Sequence, residues 1–98
     1  MALQWSAVAV QSIEEIILYY EVEAGRRVAD AVQKRLFDHI EKIDSCPMSI
    51  PKNEILPGTR KLAISKLPYV AFIRQVSEAA WEVVDVVHTS RKLPKNSA

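Results

Sequence analysis

The chain has 98 residues, of which 49% are hydrophobic and 26% charged, and its formal net charge is +1. This length accommodates one small core, so the sequence predicts a single domain over residues 1–98, with residues 93–98 as a flexible tail. No apolar run reaches the roughly 18 residues of a membrane span, and no basic segment precedes the first apolar residues as in a secretory signal. We therefore expect a cytoplasmic protein that makes no contact with a membrane.

The charges are distributed unevenly along the chain. Residues 1–51 hold five Lys or Arg and eight Asp or Glu, a balance of −3, whereas residues 52–98 hold eight and four, a balance of +4. Two interpretations are open: a basic surface directed at an anionic partner, or chance in a short chain. The single cysteine, Cys46, excludes an internal disulfide and a cysteine-based zinc cluster.

The first half of the chain predicts a short strand and two helices. Leu3–Trp5 can form the strand, and Ser6 is a suitable N-cap for an amphipathic helix from Ala7 to Val22. Gly25 is the expected break, after which apolar residues at helical spacing predict a second helix from Gly25 to Ile43. Two helices joined at one glycine should pack as an antiparallel hairpin.

The second half predicts a loop and three strands. Three prolines between Cys46 and Gly58 exclude regular structure there. Alternating or β-rich residues then predict strands over Thr59–Ser65, Tyr69–Val76 and Trp81–His88, the last two in the middle of the sheet. The order β-α-α-β-β-β predicts an α+β domain in which the helical hairpin packs on an antiparallel sheet of about four strands.

The pairing of the last two strands bears on the polar residues. If Ser77 pairs with Ala80 across a two-residue turn, then Tyr69 is opposite His88, Arg74 is opposite Val83, and Val76 is opposite Trp81. The same register places Arg74 diagonal to Asp85 on one face, an arrangement suited to a salt bridge.

Several segments, in this order, resemble the ParE/RelE superfamily of toxins from type II toxin–antitoxin modules. They are Trp5-Ser6, Ala9 with Ile13, Ile16 and Tyr19, Pro57-Gly58-Thr59-Arg60-Lys61-Leu62, Pro68-Tyr69-Val70 with Arg74, and Val87-His88-Thr89-Ser90-Arg91. The resemblance covers roughly residues 3–92 and implies the same β-α-α-β-β-β fold. It also implies a growth-inhibiting toxin that a cognate antitoxin neutralises in a hetero-oligomeric complex.

The resemblance implies two alternative targets. ParE-like members inhibit DNA gyrase without a known catalytic step, whereas RelE-like members are endoribonucleases that cleave messenger RNA on the ribosome. For RNA cleavage, His88 could act as base or acid, and Arg60, Arg74 and Arg91 could stabilise the phosphate charge. RelE-like nucleases typically add a tyrosine after or near the histidine, and the only candidate here is Tyr69.

Two departures favour the ParE-like branch. The first is the missing tyrosine, since Thr89 follows His88 and no tyrosine lies beyond Tyr69. The second is the net charge of +1, which is weak for a ribosome-acting nuclease of this superfamily. No catalytic residue is therefore assigned firmly: His88 could equally cap the end of its strand, Arg74 could pair with Asp85, and Arg91 could belong to a solvated tail. His39 has no metal-ligand spacing with nearby carboxylates, so we expect neither a metal nor a cofactor.

Overall fold

A computed structural model describes residues 2–42 and 58–90. The elements in chain order are β1 (Ala2–Trp5), α1 (Ala7–Ala24), α2 (Arg26–Glu41), β2 (Thr59–Ala63), β3 (Tyr69–Ser77) and β4 (Ala80–His88). This order confirms the predicted α+β arrangement. Ile43, Arg91 and residues 46–57 of the predicted loop lie outside the described residues. Neither described helix combines the length and the apolar character that crossing a membrane requires.

The break between the two helices occurs at the predicted glycine. Gly25 has φ 92° and ψ 165°, a conformation that side chains with a Cβ atom rarely adopt, and its amide donates to the Glu21 carbonyl at 3.2 Å. At the other end of α1, the Ser6 hydroxyl accepts from the Ala9 amide at 3.0 Å, which confirms the predicted N-cap. Both helix boundaries therefore follow from local backbone chemistry.

The sheet has the strand order β1-β4-β3-β2. The middle strands are β3 and β4, as predicted, and β3 runs antiparallel to both of its neighbours. The sheet is mixed rather than fully antiparallel, because β1 pairs with β4 in the parallel direction. Parallel neighbours need a long crossover, and the helical hairpin together with β2 and β3 supplies one between β1 and β4.

The register between β3 and β4 agrees with the prediction over only part of its length. Tyr69 pairs with His88 and Phe72 with Asp85, as predicted, but Arg74 pairs with Glu82 rather than Val83. The predicted pairs Arg74–Val83 and Val76–Trp81 are therefore wrong. The physical reason is a β-bulge: Val84 is an extra residue on β4, so Ile73, Arg74 and Gln75 each face a residue one position earlier than expected. A second register shift, between Gln75 and Ser77, restores the predicted pair of Ser77 with Ala80.

Serines from the N-terminal region hold this bulge. The Ser6 amide donates to the Val83 carbonyl at 3.0 Å, and its hydroxyl donates to the Val84 carbonyl at 2.6 Å. The Ser12 hydroxyl donates to the Asp85 carboxyl at 2.5 Å. The irregular part of β4 is thus satisfied by contacts from a distant part of the chain, which short-range sequence patterns cannot reveal.

The main core lies between the helical hairpin and one face of the sheet. Its buried members are Ala9, Ile13, Ile16, Val32, Leu36, Ile40, Ile64, Tyr69, Ala71, Ile73, Trp81, Val83 and Val86. Val70, Phe72 and Val87 form a second buried cluster, and alternation along β3 places it on the opposite face. Val28 precedes Val32 by four residues and so lies on the same side of α2, but it is 40% exposed.

Candidate functional site

His88 and Tyr69 come together where β4 ends and β3 begins. Their ring centroids are 5.5 Å apart and the rings meet edge to face, which confirms the predicted cross-strand neighbours. The ring centroid of Tyr20 on α1 lies 6.5 Å from that of Tyr69, and the ring centroid of Tyr19 lies 5.3 Å from that of Tyr20. We call Tyr19, Tyr20, Tyr69 and His88 the aromatic row.

The Tyr69 hydroxyl is held in its neutral form. Burial of the side chain, followed by its hydrogen bond with Tyr20, raises the pKa of Tyr69 to about 12. A hydroxyl with this pKa stays protonated at neutral pH, so Tyr69 serves as a hydrogen-bond donor there. Its position does not favour the formation of a tyrosinate that could act as a base.

His88 is exposed and bonded locally. Its Nδ1 atom accepts from the Ser90 amide at 3.1 Å and lies 2.9 Å from the Ser90 hydroxyl. A backbone amide can only donate, so the neutral ring carries its proton on Nε2. The Thr89 amide also donates to the Pro68 carbonyl at 2.9 Å. These hydrogen bonds are those expected of a residue that caps the end of a strand, which is the structural role considered for His88 in place of a catalytic one.

A shallow cavity of about 210 Å³ adjoins the aromatic row. Ser12, Glu15 and Tyr19 line it from α1, and Tyr69 and His88 line it from the sheet. The cavity therefore brings a carboxylate, a histidine and two phenols around one small space. Neither Arg60 nor Arg74, the two candidate arginines that the structure describes, is among its lining residues.

Arg74 lies at the other end of β3 and forms a salt bridge. Its guanidinium contacts the Glu82 carboxylate at 2.9 Å, through both Nε and a terminal nitrogen. The predicted pair with Asp85 is wrong, because the bulge moves Glu82 opposite Arg74. Asp85 instead receives hydrogen bonds from Ser12 and from the Val86 amide.

Arg60 is separated from both of these positions. It pairs with Ile73 in the sheet, on the side of the main core, and its Cζ atom lies 5.8 Å from the ring centroid of Trp81. Arg74 follows Ile73 and therefore points to the opposite face. The two described arginines that sequence analysis grouped into one site thus lie on different sides of the sheet.

Strand geometry sets the distance between the histidine and the arginines. Arg74 lies five positions beyond Tyr69 along β3, which corresponds to about 17 Å. Arg60 pairs with Ile73, which lies four positions, or about 13 Å, beyond Tyr69. The fold thus brings Tyr69 and His88 together and leaves Arg60 and Arg74 apart from them. Arg91 lies outside the described residues. Among the described residues, no cluster of His, Cys, Asp or Glu could hold a metal ion.

Three contacts were not predicted from the sequence: that of Tyr20 with Tyr69, that of Glu82 with Arg74, and that of Ser12 with Asp85. The contact of Tyr20 could have been predicted, because Tyr20 follows Ile16 by four residues and therefore lies on the side of α1 that packs on the sheet. The other two partners depend on the bulge, for which the sequence contains no glycine or proline marker in β4.

Comparison with known proteins gives two findings. A family model described as the ParE toxin of the type II toxin–antitoxin system, parDE, matches residues 3–93. A solved structure described as a chromosomal ParDE TA system from P. aeruginosa is similar, with a TM-score of 0.82 and 19% identity. The match covers 90% of this chain and 95% of that chain, and at this identity it shows a shared fold. No curated protein matches the chain.

Proposed function

Because the chain belongs to the ParE toxin family of type II toxin–antitoxin systems, we propose that it inhibits DNA gyrase and that a cognate antitoxin neutralises it. The family match over residues 3–93 is the observation that carries this proposal. The toxin acts by binding its target rather than by catalysing a reaction. It forms a hetero-oligomer with the antitoxin when both are present.

The separation of the polar residues supports a binding mechanism. In-line cleavage of RNA requires a base, an acid and a cation around one phosphate, within hydrogen-bond reach of the reacting atoms. Here His88 lies about 17 Å along the sheet from the Arg74 position. Arg74 is also engaged with Glu82, and Arg60 contacts Trp81.

The sheet edges support an antitoxin contact. Within the described residues, β1 and β2 are the edge strands, and each pairs with one neighbour only. An unpaired strand edge can accept a strand from an extended partner segment. The excess of cations in residues 52–98 would favour an acidic segment in that role.

Inhibition of supercoiling by purified gyrase tests the proposal. We expect the purified chain to inhibit the enzyme in proportion to its concentration, and we expect the same chain preincubated with its antitoxin to have no effect. Full supercoiling activity in a large molar excess of the free chain would contradict the gyrase target. A chain shown to be folded by circular dichroism is needed for that negative result to count.

The contact between Tyr69 and His88 favours a second candidate, a ribosome-dependent endoribonuclease. That function predicts new messenger 5′ ends inside translated codons after induction, and their loss in His88→Ala. His39→Ala is the matched control, because His39 lies on α2 with Nδ1 at 3.1 Å from the Arg35 carbonyl oxygen, away from the aromatic row. Growth arrest without such ends would exclude the nuclease.

A further inference from the structure

Exposed apolar side chains are concentrated on the helical hairpin. Among the described residues, the large exposed ones are Val10, Leu18, Tyr19, Val22, Val28 and Val76. Five of these six belong to α1 or α2, and Leu18 and Val22 are 61% and 73% exposed. Exposed apolar side chains gathered on one part of a molecule indicate a surface that a partner covers.

The first surface is a groove between α1 and α2, which we call the acidic groove. Its apolar wall comes from Trp5, Val10, Leu18 and Phe37, its rim carries Glu14 and Glu21, and it encloses about 600 Å³. The whole of α1 contains four glutamates and no lysine or arginine. The groove therefore suits an occupant that combines apolar residues with cations.

The second surface lies on the other side of α2, which we call the basic groove. It is an open concavity of about 560 Å³, in which the exposed Val28 and Ala31 supply apolar surface on α2 and Arg27, Arg35 and Lys42 supply cations. The Asp38 carboxylate within it is already bridged to Lys34 at 2.9 Å. Within the described residues, neither Arg27 nor Arg35 forms an ion pair, so their charges are available to a partner.

The two grooves face in opposite directions. At 100° per residue, Gln33 and Phe37 of the acidic groove lie on one side of α2, whereas Ala31 and Arg35 of the basic groove point roughly the other way. One molecule therefore cannot bring its own two grooves together. A contact between the acidic groove of one copy and the basic groove of another is heterologous, so it leaves a free groove at each end.

We propose that the acidic groove of one copy seats the basic face of α2 of a second copy, so that chains free of antitoxin associate head to tail. Val28 and Ala31 enter the apolar groove, while Arg27 and Arg35 meet Glu14 and Glu21 on its rim. A second copy is the occupant that fits, because the same chain presents both complementary surfaces. Nucleic acid fits poorly, since the glutamates repel phosphate in one groove and, among the described residues, no Phe, Tyr or Trp lines the other for base stacking.

Sedimentation velocity of the purified chain, without antitoxin, measures this association. At about 50 mM salt we expect the average mass to rise with concentration from 11.1 kDa past that of two copies. At about 1 M salt the Debye length falls to about 3 Å, and we expect the mass to return to that of a single chain. A dimer that is independent of salt, or a single chain in all conditions, overturns the proposal.

Charge reversal identifies the surfaces. We expect the Glu14→Lys/Glu21→Lys variant to remain a single chain because both of its grooves are basic, and the Arg27→Glu/Arg35→Glu variant to do so because both are acidic. An equimolar mixture of the two should associate again, because each supplies the charge that the other lacks. Failure of the mixture to associate overturns the pairing of these two grooves.

A third variant controls for net charge. Glu23→Lys/Glu78→Lys changes the charge by the same amount as the first double substitution, at exposed positions outside both grooves. We expect it to associate as the unmodified chain does. If the chain stays single while the groove substitutions weaken antitoxin binding, the antitoxin occupies these grooves and a second copy does not. This outcome is independent of gyrase inhibition, which the supercoiling assay measures separately.

Discussion

Asp85 is a fully buried acidic residue in the middle of the fold, with 0% of its surface exposed. It accepts hydrogen bonds from Ser12 on α1 at 2.5 Å and from the Val86 amide at 2.8 Å. A buried carboxyl group is tolerated only where donors replace the lost water. Asp85 thus fixes the position of α1 over the bulged part of β4, and its role is structural.

We predict that Ser12→Ala lowers the free energy of unfolding by about 1–3 kcal/mol, because a buried acceptor loses a donor. Urea unfolding measures the change. Ser65→Ala is the matched control, since Ser65 is exposed, and its effect should stay within about 0.5 kcal/mol. Equal losses in the two variants would show that the hydrogen bond between Ser12 and Asp85 contributes nothing specific.

The raised pKa of Tyr69 predicts that the free energy of unfolding depends on pH in the alkaline range. Its pKa is raised to about 12 in the folded chain from an ordinary value of 10.0, so folding favours the protonated phenol. The associated stability is fully present below about pH 10 and is lost as the pH rises to about 12. The unfolding free energy of the unmodified chain should therefore fall more steeply over this range than that of Tyr69→Phe.

The comparison needs a second phenol as its control. Tyr19 is 57% exposed, so Tyr19→Phe should retain the steep fall of the unmodified chain. Urea unfolding at several pH values between about 9 and 12 gives the three curves. A decline in Tyr69→Phe as steep as in the unmodified chain would refute the assignment to Tyr69.

At the scale of elements, local signals located most of the helix and strand boundaries. Ser6 and Gly25 predicted the start and end of α1 to within two residues of the observed range, because capping and positive φ are local backbone properties. The bulge at Val84 was missed. It depends on hydrogen bonds from Ser6 and Ser12 across more than 70 residues of sequence, which periodicity within a strand does not encode.

We predict that Gly25→Ala lowers the unfolding free energy by about 1–3 kcal/mol, because alanine must adopt a backbone conformation that is almost restricted to glycine. A Cβ atom at this position would meet no atom within 4 Å, so backbone strain is the sole expected cause. Glu23→Ala, an exposed substitution in the same turn, is the control. Thermal or urea unfolding that leaves Gly25→Ala as stable as this control contradicts the prediction.

At the scale of the whole molecule, the sheet divides the polar residues into separate groups. The aromatic row lies at one end, and the Arg74–Glu82 salt bridge lies at the other end of β3. The candidate residues follow from the sequence, since residue types and strand ends are local features. The positions of the arginines do not, because the bulge changes the partner of Arg74 and alternation separates it from Arg60.

We predict that His88→Ala and Arg74→Ala each change the concentration for half-inhibition of gyrase by less than about threefold, because a toxin that acts by binding needs no shared catalytic centre. Each variant is compared with His39→Ala in the same supercoiling assay. A loss of growth arrest in His88→Ala that accompanies loss of messenger cleavage would instead favour the nuclease. The fold is expected to persist in all three, since none of these side chains belongs to the main core.

The sequence by itself determined the order of the elements, the helical hairpin, the family resemblance and the pairing of Tyr69 with His88. These features depend on capping residues, apolar periodicity and strand ends, which act over a few residues. The tertiary structure alone decided the parallel pairing of β1 with β4, the salt bridge between Arg74 and Glu82, and the opposite directions of the two grooves. These depend on packing between distant segments, where one bulged residue changes the partners of the next three residues on the neighbouring strand.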